Sequence, residues 1–290
     1  MPTYCCDLAR AADEPLIGTA SRNDFQLVLS LPKTEWLGKL EAMDGLAGAL
    51  AALVQPLKDQ AILSLKHGPA EERGTVWLFP HGYHFGPLDP ALYAELVAQV
   101  LNGQISLPYT RIEHQVLLIC THGKRDAACA KYGGEVIKAL QAHPLGALQA
   151  WEVSHLGGHR FAGTAVLQPQ SHWYGFLTPA DLPALLEAAQ TGQPLLSHYR
   201  GNSHYAAPLQ VAEAWGWGQL AQAGLLGDIH LFNPLLDGAQ AQVVVGVEQG
   251  GQLTKFQVTL TGRPYAFIPD TDSTETKERL IWQMASAKRL

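Results

Sequence analysis

The sequence predicts an α/β chain in which one unit of order β-α-β then β-β-α is used twice, followed by a shorter appended segment. Two observations carry this. Apolar runs alternate with turn signals along the first two thirds of the chain. A shift of 89 residues, with no gap, also lays the two halves on each other. Under it LVLSLP, from Leu27, falls on VLLICT, from Val116, and the stretch from Pro80 falls on the stretch from Pro169. Pro80/Pro169, Gly86/Gly175, Leu88/Leu177, Pro90/Pro179, Gly103/Gly192 and Gln104/Gln193 are identical pairs.

In the first copy Phe25–Leu31 reads as a strand and Leu37–Leu57 as a helix ended near Pro56. Ala61–Lys66 and Thr75–Phe79 read as strands, and Asp89–Leu101 as a helix closed by Gly103. In the second copy Val116–Cys120 reads as a strand, Ala128–Ala142 as a helix and Leu148–Val153 as a strand. Gly163–Leu167 and Trp173–Phe176 then form a hairpin, and Ala180–Ala189 a helix. This order is the thioredoxin-like plan: a crossover, then a hairpin and a final helix. Beyond it Pro208–Ala223 reads as a helix, and Gln242–Val247 and Leu253–Thr261 as strands joined through Gly250-Gly251. The tail from Asp270 to Leu290 is polar and then helical in pattern. The expected organisation is a thioredoxin-like unit over 1–107, a second over 108–225 that carries the functional site, and an appended β-hairpin with helices over 226–290.

Composition narrows the function. A net charge of −6 leaves no basic footprint for nucleic acid. No run reaches the roughly 18 apolar residues of a membrane helix, and the opening residues lack the pattern of a secretory signal, so a cytoplasmic location is expected. The four cysteines are Cys5, Cys6, Cys120 and Cys129. In a reducing compartment such cysteines more often bind metal or do chemistry than form a disulfide framework.

Two segments carry that chemistry. CTHGKRDAAC runs from Cys120, at a strand end, to Cys129, at a helix start, where unpaired N–H groups favour a thiolate. HLGGH runs from His155 to His159 after the next strand. Gly157 and Gly158 rule out a helical zinc-protease arrangement and let the backbone turn tightly. Both loops leave strands of one sheet, so the four side chains converge. Two thiolates and two imidazoles fit a structural zinc ion or a 2Fe–2S cluster, and the residues alone leave both open.

CTHGKRDAAC followed by WEVSHLGGHRFAGTAVLQP resembles the sucrase/ferredoxin-like family of thioredoxin-like ferredoxins. YGFLTPADLPALL, HYRGNSHY and EPLIGTA add to the likeness, which spans about Glu14 to Trp217. The resemblance implies a 2Fe–2S cofactor, with Cys120 and Cys129 on the iron that stays ferric and His155 and His159 on the reducible one. It implies a one-electron carrier that works with a redox partner protein, a reductase or an oxidase. Two thiolates leave the oxidised site neutral, so its potential is expected in or near the Rieske range of about −150 to +300 mV. A zinc-stabilised interaction module and a redox enzyme acting on a small molecule at the histidine-bound iron are the competing readings. His122, Lys124, Arg125 and Arg160 are the residues expected around the ligands, and Asp126 is expected to cap the helix that starts near Cys129. Under the 89-residue shift the ligands fall on Leu31, Leu40, Lys66 and Ala70, so the first copy is expected to hold no cluster.

Overall fold

The computed structural model describes all of the chain except residues 1–3, 144, 145, 147 and 272. Helix α1 (Cys5–Ala11) leads into the first half. There β1 (Phe25–Leu31) is followed by α2 (Gly45–Val54), β2 (Ala61–His67), β3 (Thr75–Phe79), β4 (Tyr83–Pro87) and α3 (Tyr93–Leu101). A short strand β5 (Thr110–Arg111) precedes the second half. That half runs β6 (Val116–Cys120), α4 (Gly134–Leu140), β7 (Gln149–Val153), β8 (Ala165–Gln168), β9 (His172–Tyr174) and α5 (Leu182–Thr191).

The halves share one pairing scheme. β1 runs parallel to β2 and antiparallel to β3, which pairs antiparallel with β4. β6 runs parallel to β7 and antiparallel to β8, which pairs antiparallel with β9. With β10 (Tyr199–Asn202) they form one ten-stranded sheet, joined at its centre where Lys66 of β2 meets Val153 of β7. Each strand of a half buries one face under its own helices. Leu27, Leu29 and Leu31 pack beneath α2 and α3, and Leu117 and Ile119 beneath α4 and α5. The other faces meet: Val28 and Trp77 pack with Leu118, Trp151 and Trp173. Gln26 and Gln168 hydrogen-bond at 3.1 Å inside that contact.

The pairing also corrects the shift. β3 and β4 follow 89 residues, because Leu78 opposite Tyr83 recurs as Leu167 opposite His172. In the first strand the equivalence moves by one: Leu27 opposite Leu78 recurs as Leu117 opposite Leu167. A one-residue slip would turn every side chain to the wrong face. Ser30, not Leu31, therefore stands where Cys120 stands. Its hydroxyl bonds Glu72, which also pairs with Lys66. A Cβ on Gly68 would lie 2.1 Å from the Ser30 hydroxyl. Hydrogen-bonded side chains thus fill the space that in the second half is lined by sulfur and imidazole.

Two further expectations change. The helix expected from Leu37 begins only at Gly45. Residues before it form irregular turns that bury Trp36 against His122. The tail is not helical. Strands β11 (Asp228–Asp237), β12 (Gln240–Gln249), β13 (Gln252–Phe267) and β14 (Lys277–Arg289) form a four-stranded antiparallel sheet. Leu280, Ile281 and Met284 have helical spacing, but the long open edge of β13 offers their backbone a partner along twelve paired positions. Lys277, Glu278, Lys288 and Arg289 then place charge on the new edge. Ahead of β1 the chain packs on the second half: Glu14 pairs with Arg160, and the Gly18 N–H bonds the Arg200 carbonyl.

Helix α6 (Ala207–Ala223) is apolar on two sides because it serves two layers. Ala214, Trp217 and Leu220 face the second half, while Ala212 and Trp215 face the C-terminal sheet. Glu213 lies between, bonded to the Tyr199 hydroxyl at 2.9 Å and the Trp217 indole at 3.3 Å. Burial pushes its carboxyl up to about 7, from 4.5 in an exposed glutamate. The folded chain therefore holds this proton more tightly than the unfolded chain. The stability Glu213 contributes is full below about 4.5 and is lost as pH rises through about 7. Glu213→Gln should raise the melting temperature near pH 8 and leave it unchanged near the lower limit of that window. Thermal unfolding at the two pH values checks this, and an equal change at both would contradict the assignment.

Candidate metal centre

The parallel pairing of β6 and β7 sets Cys120 opposite Val153. The two chains leave this edge together, one into the loop to Cys129 and the other into His155–His159. The Cys120 N–H bonds Thr164 O, and the Thr121 N–H bonds Val153 O. Asp126 caps the returning helix as expected, accepting the Ala128 N–H at 2.9 Å. A π turn over Cys129–Gly133 then widens the helix before α4. Gly133 lets it approach β6, since a Cβ there would lie 1.9 Å from the Cys120 carbonyl oxygen.

Cys120 Sγ, Cys129 Sγ and a ring nitrogen of His155 all lie within 4.8 Å of one another. Both cysteines are buried. Hydrogen bonds from the Cys129 thiol, then from His155, hold the Cys120 thiol well below its usual range, and the shared proton pushes Cys129 the other way. His159 falls outside that trio, with its ring centre 5.2 Å from that of His155. Its Nε2 contacts the Pro269 carbonyl at 2.8 Å and Asp270 at 3.1 Å. A carbonyl only accepts, so Nε2 carries the proton and Nδ1 carries the lone pair. Nδ1 of His159 and Nδ1 of His155 are both buried without a hydrogen-bond partner. Two thiols and two orphaned imidazole nitrogens are a donor set that fits either a 2Fe–2S cluster or a zinc ion.

The glycines of HLGGH are needed where they stand. Gly157 and Gly158 have φ of +89° and +73°. A Cβ on Gly158 would lie 2.5 Å from the Arg200 guanidinium. Arg200 is 2% exposed and supports this loop from below, donating to Gly157 O at 3.0 Å and to Thr19. Burial pulls its pKa down to about 9. No spacing rule in the sequence pointed to this role; only the RGN stretch from Arg200 to Asn202 drew attention to it.

The residues expected around the ligands divide. His122 is buried, and its Nδ1 accepts the His155 N–H at 3.2 Å. Lys124 does not reach sulfur: it donates to the carbonyls of Trp36 at 2.7 Å and Thr34 at 3.2 Å, holding the loop to the first half. Arg125 pairs with Asp270 at 3.4 Å. Arg160, also expected around the ligands, is instead engaged by Glu14 and buried against it. Two contributors were invisible in the sequence. Pro269, Asp270 and Thr271, at the tip between β13 and β14, fold back over His159 and Asp126. Cys5 lies there too, within 4.8 Å of Asp126 and His159, with burial pushing its thiol up to about 11. Asp126 is already engaged by Ala128 and Thr271.

A family model described as sucrase/ferredoxin-like matches residues 16–201, well over half of the chain. Altered inheritance of mitochondria protein 32 of Eremothecium gossypii is 33% identical over 115 residues, which cover 35% of each chain. Its namesake in Saccharomyces cerevisiae is 33% identical over 96 residues, 29% of this chain and 31% of the relative. The matched part thus spans about a third of the length of these curated relatives. Among solved structures, a thioredoxin-like 2Fe–2S ferredoxin from Aquifex aeolicus is similar at 17% identity and a TM-score of 0.27, covering 30% of this chain and 91% of that one.

The two adjacent helical glycines give a test of this geometry. Gly133→Ala should destabilise the chain by about 1–3 kcal/mol, because the helix cannot retreat from the Cys120 carbonyl without moving the Cys129 turn. Gly134→Ala meets nothing within 4 Å and should be neutral or stabilising by up to about 1 kcal/mol. Denaturant unfolding of the two variants side by side measures the difference.

Proposed function

This chain belongs to the sucrase/ferredoxin-like family, and from that premise we propose that it is a one-electron carrier holding a 2Fe–2S cluster on Cys120, Cys129, His155 and His159. The observation that carries the reading is the pair of buried Nδ1 atoms of His155 and His159, without partners, beside two buried thiols. A bound 2Fe–2S cluster supplies reversible transfer of a single electron. Cys120 and Cys129 would hold one iron and the two histidines the other. The Pro269 carbonyl and Asp270 fix the tautomer that leaves His159 Nδ1 free, and His122 fixes the backbone of His155.

His155 is the half-buried member of the set. It lines a cleft of about 540 Å³ between the halves, together with His122, Arg125 and residues Gly38–Leu40. A protein reductase or oxidase would approach the site there. The two cysteines outside the proposed ligand set, Cys5 and Cys6, are unpaired, which suits a carrier working in a reducing compartment. Among the described residues no helix is long and apolar enough to cross a membrane. One observation favours a second reading: the donor atoms of Cys120, Cys129 and His155 are close enough for a single ion, as in a zinc-stabilised module.

Protein purified without air decides between them. The carrier should be coloured, contain two iron and two sulfide per chain, and give a spin-½ signal on reduction. Cys129→Ala should abolish colour and signal, while Cys6→Ala should keep both. His155→Cys should keep the iron and lower the potential, because it adds a negative ligand. A colourless protein with one zinc and no sulfide, even after anaerobic reconstitution, would overturn the proposal in favour of the zinc module.

A further inference from the structure

Three arginines surround one ring. The guanidinium carbons of Arg160, Arg200 and Arg279 lie 5.6, 5.1 and 5.4 Å from the centre of Phe161. Arg160 is 7% exposed and Arg200 2%. Among the described residues a single carboxylate pairs with this group. Glu14, itself 5% exposed, takes Arg160 on one oxygen and Arg279 on the other, the latter at 2.7 Å. Arg200 donates only to Thr19 and the Gly157 carbonyl, which carry no charge. Nε and Nη1 of Arg160 and Nε of Arg279 are buried without a partner. A buried donor left without a partner costs the desolvation of that group, and a charged group costs more. A 2Fe–2S core held by two thiolates is neutral when oxidised, so it would not answer the excess positive charge either.

A cavity of about 340 Å³ opens onto Arg160 and Glu14 between α1 and the end of β13. Leu8, Ala9 and Ala12 form one wall, and Phe267 and Ile268 the other. The Arg160 guanidinium is stacked 3.7 Å from the centre of the Phe267 ring, which fixes its plane. Leu8 stands at the rim, 41% exposed. An apolar cleft with a few convergent polar groups at its floor has the form of a small-molecule site.

We propose that this cavity binds a small carboxylic acid with an apolar body. The ligand's carboxylate lies beside the Arg160 guanidinium where it lines the cavity and brings the Arg160–Glu14–Arg279 group to neutrality. Its body lies along Leu8 and Ala12. Two guanidinium charges against one carboxylate select an anion over an alcohol of the same shape, and the apolar walls select one with an apolar body over an inorganic anion. The site uses none of the four proposed ligands, so it stands independently of which metal they hold.

Titration calorimetry of the full chain with octanoate, octanol and inorganic phosphate tests the proposal. Octanoate should bind with one-to-one stoichiometry, and neither octanol nor phosphate should bind measurably at the same concentrations. Leu8→Glu sets a negative charge at the mouth without touching the buried ion pairs. It should weaken octanoate at least tenfold, equivalent to about 1.4 kcal/mol, while leaving the melting temperature of the free protein unchanged. The proposal is overturned if octanoate shows no saturable binding at millimolar concentration. It is overturned too if octanol binds equally well, if phosphate binds and octanoate does not, or if Leu8→Glu binds octanoate like the parent chain.

Discussion

The parallel pairing of β6 with β7 is the constraint on which the rest of the site depends. Two strands that run the same way end at the same edge, so the chain must return through a helix between them, and both outgoing loops start within one strand spacing of each other. Cysteines at the end of the first strand and the start of the crossover helix then face histidines at the end of the second. Gly133 tightens the arrangement by bringing the helix against the Cys120 carbonyl. No long-range ion pair is needed for the convergence, because the backbone ladder supplies it.

The first half shows what this scaffold does without ligand residues. It has the same pairing scheme, yet Ser30, Gly68, Glu72 and Lys66 occupy the corresponding edge and satisfy one another. Its function in the molecule is to complete the second half. Val28 and Trp77 cover the face of Leu118 and Trp151, and Trp36 closes over His122 while its carbonyl takes Lys124. A duplicated unit has become a fixed internal partner.

Much of this was legible in the sequence. Apolar runs between turn signals marked the strands of both halves, and CTHGKRDAAC and HLGGH marked the two loops that leave one sheet edge. What escaped was non-local. The one-residue offset between β1 and β6 is hard to read because both strands are buried on both faces and VLLIC has no alternation to set against FQLVLSL. Arg160 read as a residue around the ligands because Glu14 and Arg279, its neighbours in space, lie 146 and 119 positions away in sequence. The tail read as a helix because Leu280, Ile281 and Met284 carry a helical spacing, and only the edge of β13 decides for a strand. Local pattern identifies an element, and the available hydrogen-bond partners decide its form.

The tip between β13 and β14 gives the site an order of assembly in time. His159 and Pro269 are 110 positions apart. At about 5–20 residues per second, a ribosome adds that stretch in roughly 5–20 s. During that interval the second half can fold with Cys120, Cys129, His155 and His159 in place, while the strap that later bonds His159 has not been made. The four side chains are thus made before the strands whose tip covers His159. Synthesis itself separates making these side chains from covering them.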